Sequence, residues 1–157
     1  MCFNRPALYN DHYDGELEYP GDALGRDCMV AALLPEDPGY MRLYQNDGKR
    51  NEDWFSWNAR VYAPIGGKIT YLYINEVTNV PGVQNPSRAS ALLLEADDGT
   101  TVMLGHIQDP VVSQGDRVEE GQKIQRIKDQ LHLPHFFPAS AAFQRPHPGK
   151  REIQSFF

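Results

Sequence analysis

Cysteine is scarce in this chain. Cys2 and Cys28 are the only two, too few for the disulfide framework that staples small secreted domains, and they read as free thiols. Long apolar runs are missing as well. No stretch approaches the roughly 20 apolar residues that a membrane-spanning helix needs, so no span is expected. Met1-Cys2-Phe3-Asn4-Arg5-Pro6 is not followed by the apolar segment of a secretory signal. A basic excess is also absent. The net charge of −6 argues against nucleic acid or an anionic membrane as the main partner. Arg145, Lys150 and Arg151 form a local exception that reads as a solvated tail.

What is present is enough for one domain. With 157 residues, 41% hydrophobic and 11% aromatic, the chain can bury a core and should fold. Three segments between Asn58 and Ile127 share a pattern of short strands rich in β-branched or aromatic residues and punctuated by glycine. The first is Arg60-Val61-Tyr62-Ala63-Pro64-Ile65-Gly66-Gly67-Lys68-Ile69, continuing as a strand to Asn75. In the second, Ala89 to Ala96 and Thr100 to His106 should form a hairpin across Asp97-Asp98-Gly99. The third runs from Val112 to Ile124 and carries Gly115 and Gly121. Glu76 to Arg88 contains Pro81, Gly82, Asn85 and Pro86 and reads as a loop.

Residues 1–48 show no clean period and are expected to be an extension packed on the core. Within them, the apolar run Asp27 to Leu34, ended by Pro35, fits a strand or one helical turn. Met41 to Tyr44 fits another strand, stopped by Asn46-Asp47-Gly48. Asn10, His12, Asp14 and Gly15 fall near calcium-loop positions, but Gly21 stands where a bidentate Glu is needed. Asn51 to Asn58 is the densest aromatic stretch. Trp54, Phe55 and Trp57 can bury surface and lock the following strand.

The segments "VYAPIGGKI", "DDGTTVMLGHI" and "VVSQGDRVEEGQKI" together resemble successive blocks of the lysostaphin-type zinc peptidases, the M23 family. The resemblance covers about half the chain. It implies an all-β antiparallel sandwich of the duplicated hybrid motif type over residues 49–137, followed by an irregular tail at 138–157. It also implies zinc-dependent cleavage of peptide cross-links in peptidoglycan, with a peptide or peptidoglycan fragment as partner. By resemblance Asp53 is a metal ligand, His106 takes the place of a catalytic histidine that stabilises the oxyanion, and Trp54 and Trp57 line the substrate groove. His132 and His135 stand near the family's final block, where one histidine is a base and the other a zinc ligand; His132 takes the catalytic place and His135 the metal place. A lipoyl or biotinyl carrier shares the last block, but no lysine here sits on a suitable exposed hairpin.

The chain departs from the family at two points. Lys49 stands where a metal-binding histidine is expected, and a protonated lysine has no lone pair to give. His132 and His135 are three residues apart instead of two, so a regular strand points them to opposite faces. A bulge at Pro134 would be needed to bring them together. A catalytic zinc needs about three protein ligands and an open water position, and the matched residues supply two. The expectation is an M23-like domain with an incomplete zinc site, or a non-catalytic binding or regulatory module on the same scaffold.

Overall fold

The computed structural model describes residues 5–11, 25–36, 39–83 and 88–127, together with the backbone of 140–144. Among these residues all regular structure is extended, apart from one 3-10 turn at Asn51–Asp53. In chain order the strands are β1 (Ala7–Asp11), β2 (Gly25–Val30), β3 (Ala32–Leu33), β4 (Met41–Arg42), β5 (Arg60–Tyr62), β6 (Gly67–Tyr73) and β7 (Ala91–Glu95). They continue as β8 (Thr101–Gly105), β9 (Ile107–Gln108), β10 (Arg117–Val118), β11 (Lys123–Ile127) and β12 (Ser140–Gln144). A seven-stranded sheet has the order β1-β2-β12-β8-β7-β6-β10, a three-stranded sheet the order β5-β11-β9, and β3 pairs with β4 alone. Every pairing is antiparallel. The all-β antiparallel architecture matches the expectation. No helix of the described residues is long and apolar enough to cross a membrane.

Alternation explains how the two larger sheets share one core. On β7 and β8, Leu92, Leu94, Val102 and Leu104 face inward, while Leu93 and Met103 are half-buried on the other face. Ile69, Val61, Ile107, Val118, Ile124 and Ile127 join the same cluster, so both sheets line a single apolar interior. Each fully buried Leu or Ile contributes about 1.5–3 kcal/mol through the water it releases. The hairpin turn between β7 and β8 uses Gly99 at φ 82, and the Asp98 carboxylate accepts the Thr100 N–H at 2.8 Å.

The first and third glycine-punctuated blocks bind each other. Ala63 N–H donates to Gln122 O and Gly121 N–H to Ala63 O, at 2.8 and 2.9 Å. Ile69 N–H donates to Asp116 O and Gly115 N–H to Ile69 O, both at 2.8 Å. A bulge between Lys123 and Gln125 shifts the β11 register against β5, so that Gln125 lies opposite Val61. Directly opposed residues share a face, which turns Gln125 inward beside Val61 and Ile127. Its side chain is fully buried and neither amide atom has a hydrogen-bond partner. Such a group costs roughly 1–3 kcal/mol of lost hydration.

Strands from outside the glycine-punctuated blocks complete the large sheet. The 27–34 run supplies most of β2, with Cys28 and Val30 in the core cluster, so β1 and β2 join the large sheet while β3 pairs with β4 apart from it. The Cys28 side chain is buried. Residues 138–157, expected to be an irregular tail, supply β12, which pairs with β2 on one side and β8 on the other. A strand held by backbone pairs on both sides needs no apolar period of its own, and this one has none to read.

The two adjacent glycines 66 and 67 have unequal roles. A β-carbon on Gly67 would overlap the Glu95 carbonyl on β7, whereas one on Gly66 would meet nothing nearer than 3.6 Å. Gly67→Ala should therefore lower the unfolding free energy by about 1–3 kcal/mol through the forced separation of β6 and β7. Gly66→Ala should leave it nearly unchanged. Urea titration of the two variants beside the parent checks the difference.

Candidate functional site

Asp53 closes the 3-10 turn, and its side chain is folded back onto the segment that precedes it. The residue is buried, with 1% of its surface exposed. Oδ1 accepts the Asn46 amide at 2.8 Å and the Arg50 guanidinium at 3.3 Å. Oδ2 accepts the Arg50 backbone N–H at 3.2 Å. Asp53 N–H donates to Arg50 O in return, at 3.1 Å, which closes the turn on itself. The Asn46 hydrogen bond, followed by those from Arg50, outweighs burial and holds the carboxyl below its ordinary value. Asn46 reaches this position at φ 56, a left-handed conformation that Asn tolerates better than most residues.

The aromatic residues nearby divide by role. Trp54 is buried, and its indole N–H donates to Gly48 O at 2.8 Å. Its ring lies 4.9 Å from that of Tyr44, and a backbone bridge joins the same two residues. A β-carbon on Gly48 would stand 2.9 Å from the Tyr44 ring, and φ there is 68, so only glycine fits. Trp54 is thus held by its neighbours, with little surface left to line a groove. Trp57 is half-buried.

His106 sits between β8 and β9, where the chain leaves the seven-stranded sheet for the three-stranded one. It is half-buried at φ 56, and its backbone N–H donates to Ser90 O at 3.0 Å. A non-glycine residue there carries backbone strain of about 1 kcal/mol. His132 and His135 lie outside the described residues.

No family model, no curated protein and no solved structure shows a significant match to this chain. Among the described residues, no three His, Cys, Asp or Glu side chains converge as a metal site would require. Asp53 fits zinc poorly. Three donors already contact its two oxygens, and the Arg50 guanidinium beside it would repel a cation. Lys49 is exposed and pairs with Asp47 at 3.1 Å, so it offers a metal nothing.

Sequence reasoning singled out Asp53 but missed its partners. Asn46 looked like a turn residue, and Arg50 carried no signal at all. A contact across seven residues depends on how the turn closes, which spacing does not reveal. Arg88 was missed in the same way. Its guanidinium lies 4.8 and 5.3 Å from the ring centroids of Tyr73 and Tyr71, two residues that β6 presents on its outer face.

Two outcomes follow. A folded-state pKa depressed in this way contributes stability above the unfolded value, near 3.9, and loses it as pH falls through the folded value. Asp53→Asn should therefore be less stable than the parent at neutral pH, with the gap closing below about pH 4; denaturant titrations across pH measure it. At position 106, Gly and Ala both delete the imidazole, yet only Ala keeps the strain. His106→Gly should exceed His106→Ala in stability by about 1 kcal/mol, read as a difference in denaturation midpoint.

Proposed function

We propose that this chain is an M23-like domain of the duplicated hybrid motif type whose zinc site is incomplete. In this reading it serves as a non-catalytic module that binds peptide or peptidoglycan fragments. The observation that carries the proposal is the commitment of Asp53. A ligand carboxylate in a working zinc centre directs a lone pair at the metal, whereas this one is spent on Asn46 and Arg50. Lys49 in the place of a ligand histidine supports the same conclusion. The mutual pairing of the first and third blocks supports the scaffold half of the proposal. Scaffolds outlast the chemistry grafted on them.

The competing reading is a zinc endopeptidase. There Asp53 and His135 would hold the metal, His132 would be the base, and His106 would stabilise the oxyanion. One experiment separates the two. Purified protein is supplemented with zinc, dialysed, analysed for metal, and incubated with a glycine-rich peptide with and without chelator. The proposal expects less than about a tenth of an equivalent of zinc, since a catalytic site retains its metal tightly, and no chelator-sensitive cleavage. Cleavage that the chelator abolishes would overturn it and restore the enzyme.

A further inference from the structure

Strand β6 carries a bulge of its own. Its register against β7 shifts between Ile69 and Tyr71, with Thr70 between them. By simple alternation Ile69, Tyr71 and Tyr73 would share one face. The bulge separates them. Ile69 opposes Leu94 and Leu72 opposes Leu92, and these four belong to the core or pack against it. Tyr71 opposes Leu93 and Tyr73 opposes Ala91 on the outer face. Leu93 in turn opposes Met103 on β8. Register therefore places Tyr71, Leu93 and Met103 in one row across β6, β7 and β8, with Tyr73 and Ala91 in the next. All five are half-buried.

Arg88 stands at the end of this surface and is exposed. Its guanidinium carbon lies 4.8 Å from the Tyr73 ring centroid and 5.3 Å from that of Tyr71, within attractive range of both rings. Its backbone is fastened to the end of β6. Asn75 Nδ2 donates to Arg88 O at 2.8 Å, and Asn75 N–H donates to Ser90 Oγ at 2.9 Å. The Asn75 side-chain oxygen accepts the Val77 N–H at 2.9 Å, which fixes Asn75 itself. At the other end of the surface Lys68 and Glu95 oppose each other, so their charges offset within the pair.

We infer that this face binds the free carboxylate of a peptide, with Arg88 receiving the carboxylate and the Tyr71, Leu93 and Met103 row lying under the apolar residues next to it. The inference rests on the reading of this chain as a module for peptide or peptidoglycan fragments, and it names the group that is gripped. A guanidinium has more N–H donors than any one neighbour can take, and two of them side by side match a carboxylate. Rings that hold the side chain in place reduce the freedom it loses on binding. Apolar side chains next to the ion pair keep water away and strengthen it. The bulge is an independent sign, since it turns both tyrosines outward, and bulges often re-aim side chains beside active sites.

The test is cosedimentation of the full chain with peptidoglycan sacculi, either untreated or with their carboxylates amidated by carbodiimide and ammonia. The parent should bind untreated sacculi about tenfold or more tightly than amidated ones. Arg88→Gln should lose the same factor and show no preference between the two. Arg60→Gln, at an exposed position of β5 in the other sheet, removes an equal charge and should behave as the parent does. The amidation comparison uses the parent alone, so it holds whatever a variant does to folding. Equal binding of both sacculi by the parent overturns this inference and leaves the peptidoglycan reading standing. An Arg88→Gln variant that keeps the preference, or an Arg60→Gln variant that loses it, does the same. No binding to either kind of sacculus overturns both.

Discussion

A carboxylate withdrawn from water has to be met by donors, and the way Asp53 is met organises one whole flank of this protein. Asn46 must enter the left-handed region to present its amide. Arg50 must bring both its backbone N–H and its guanidinium to the same group. Those two demands shape the segment between β4 and the 3-10 turn. Gly48 can then lie against Tyr44 and accept the Trp54 indole. The interaction also bears on chemistry. Oxygens that neutralise a buried turn are poorly placed to hold a metal, so structural use and catalytic use compete for one side chain.

The core places a second constraint on the chain. Two sheets line one interior, and the chain passes between them where alternation has to be broken. His106 makes one passage, at the strained φ that separates β8 from β9. The bulge in β11 makes another adjustment, and it allows Ile124 and Ile127, three residues apart, to serve the same core. Gln125 carries the cost, because the register that suits both isoleucines turns its amide inward. An amide without partners in an apolar interior opposes folding, and the surrounding buried surface outweighs it.

How much could be read beforehand differs element by element. The β7–β8 hairpin was legible because Asp97-Asp98-Gly99 requires a tight turn and the flanking residues alternate. The β6 strand and the glycine turns of the third block were legible for similar local reasons. At the candidate site, Asp53 was visible through resemblance and Trp54 through composition. Their actual roles were hidden, because donors and neighbours arrive from Asn46, Gly48 and Tyr44 only once the turn has closed. Trp54 and Trp57 belong to a single aromatic run, yet one is buried and the other half-buried.

Local chemistry by itself determined the all-β class, the central hairpin, the turns at Gly99, Gly115 and Gly121, and the absence of a long apolar span. Each of these follows from residues adjacent in the chain, where alternation and glycine act directly on the backbone. Tertiary structure alone decided that β12 inserts between β2 and β8, that Gln125 faces the core, and that Asp53 accepts its hydrogen bonds from its own turn. Those outcomes depend on which distant segments meet. Hydrogen-bond partners and burial are properties of that meeting, and no spacing along the chain records them.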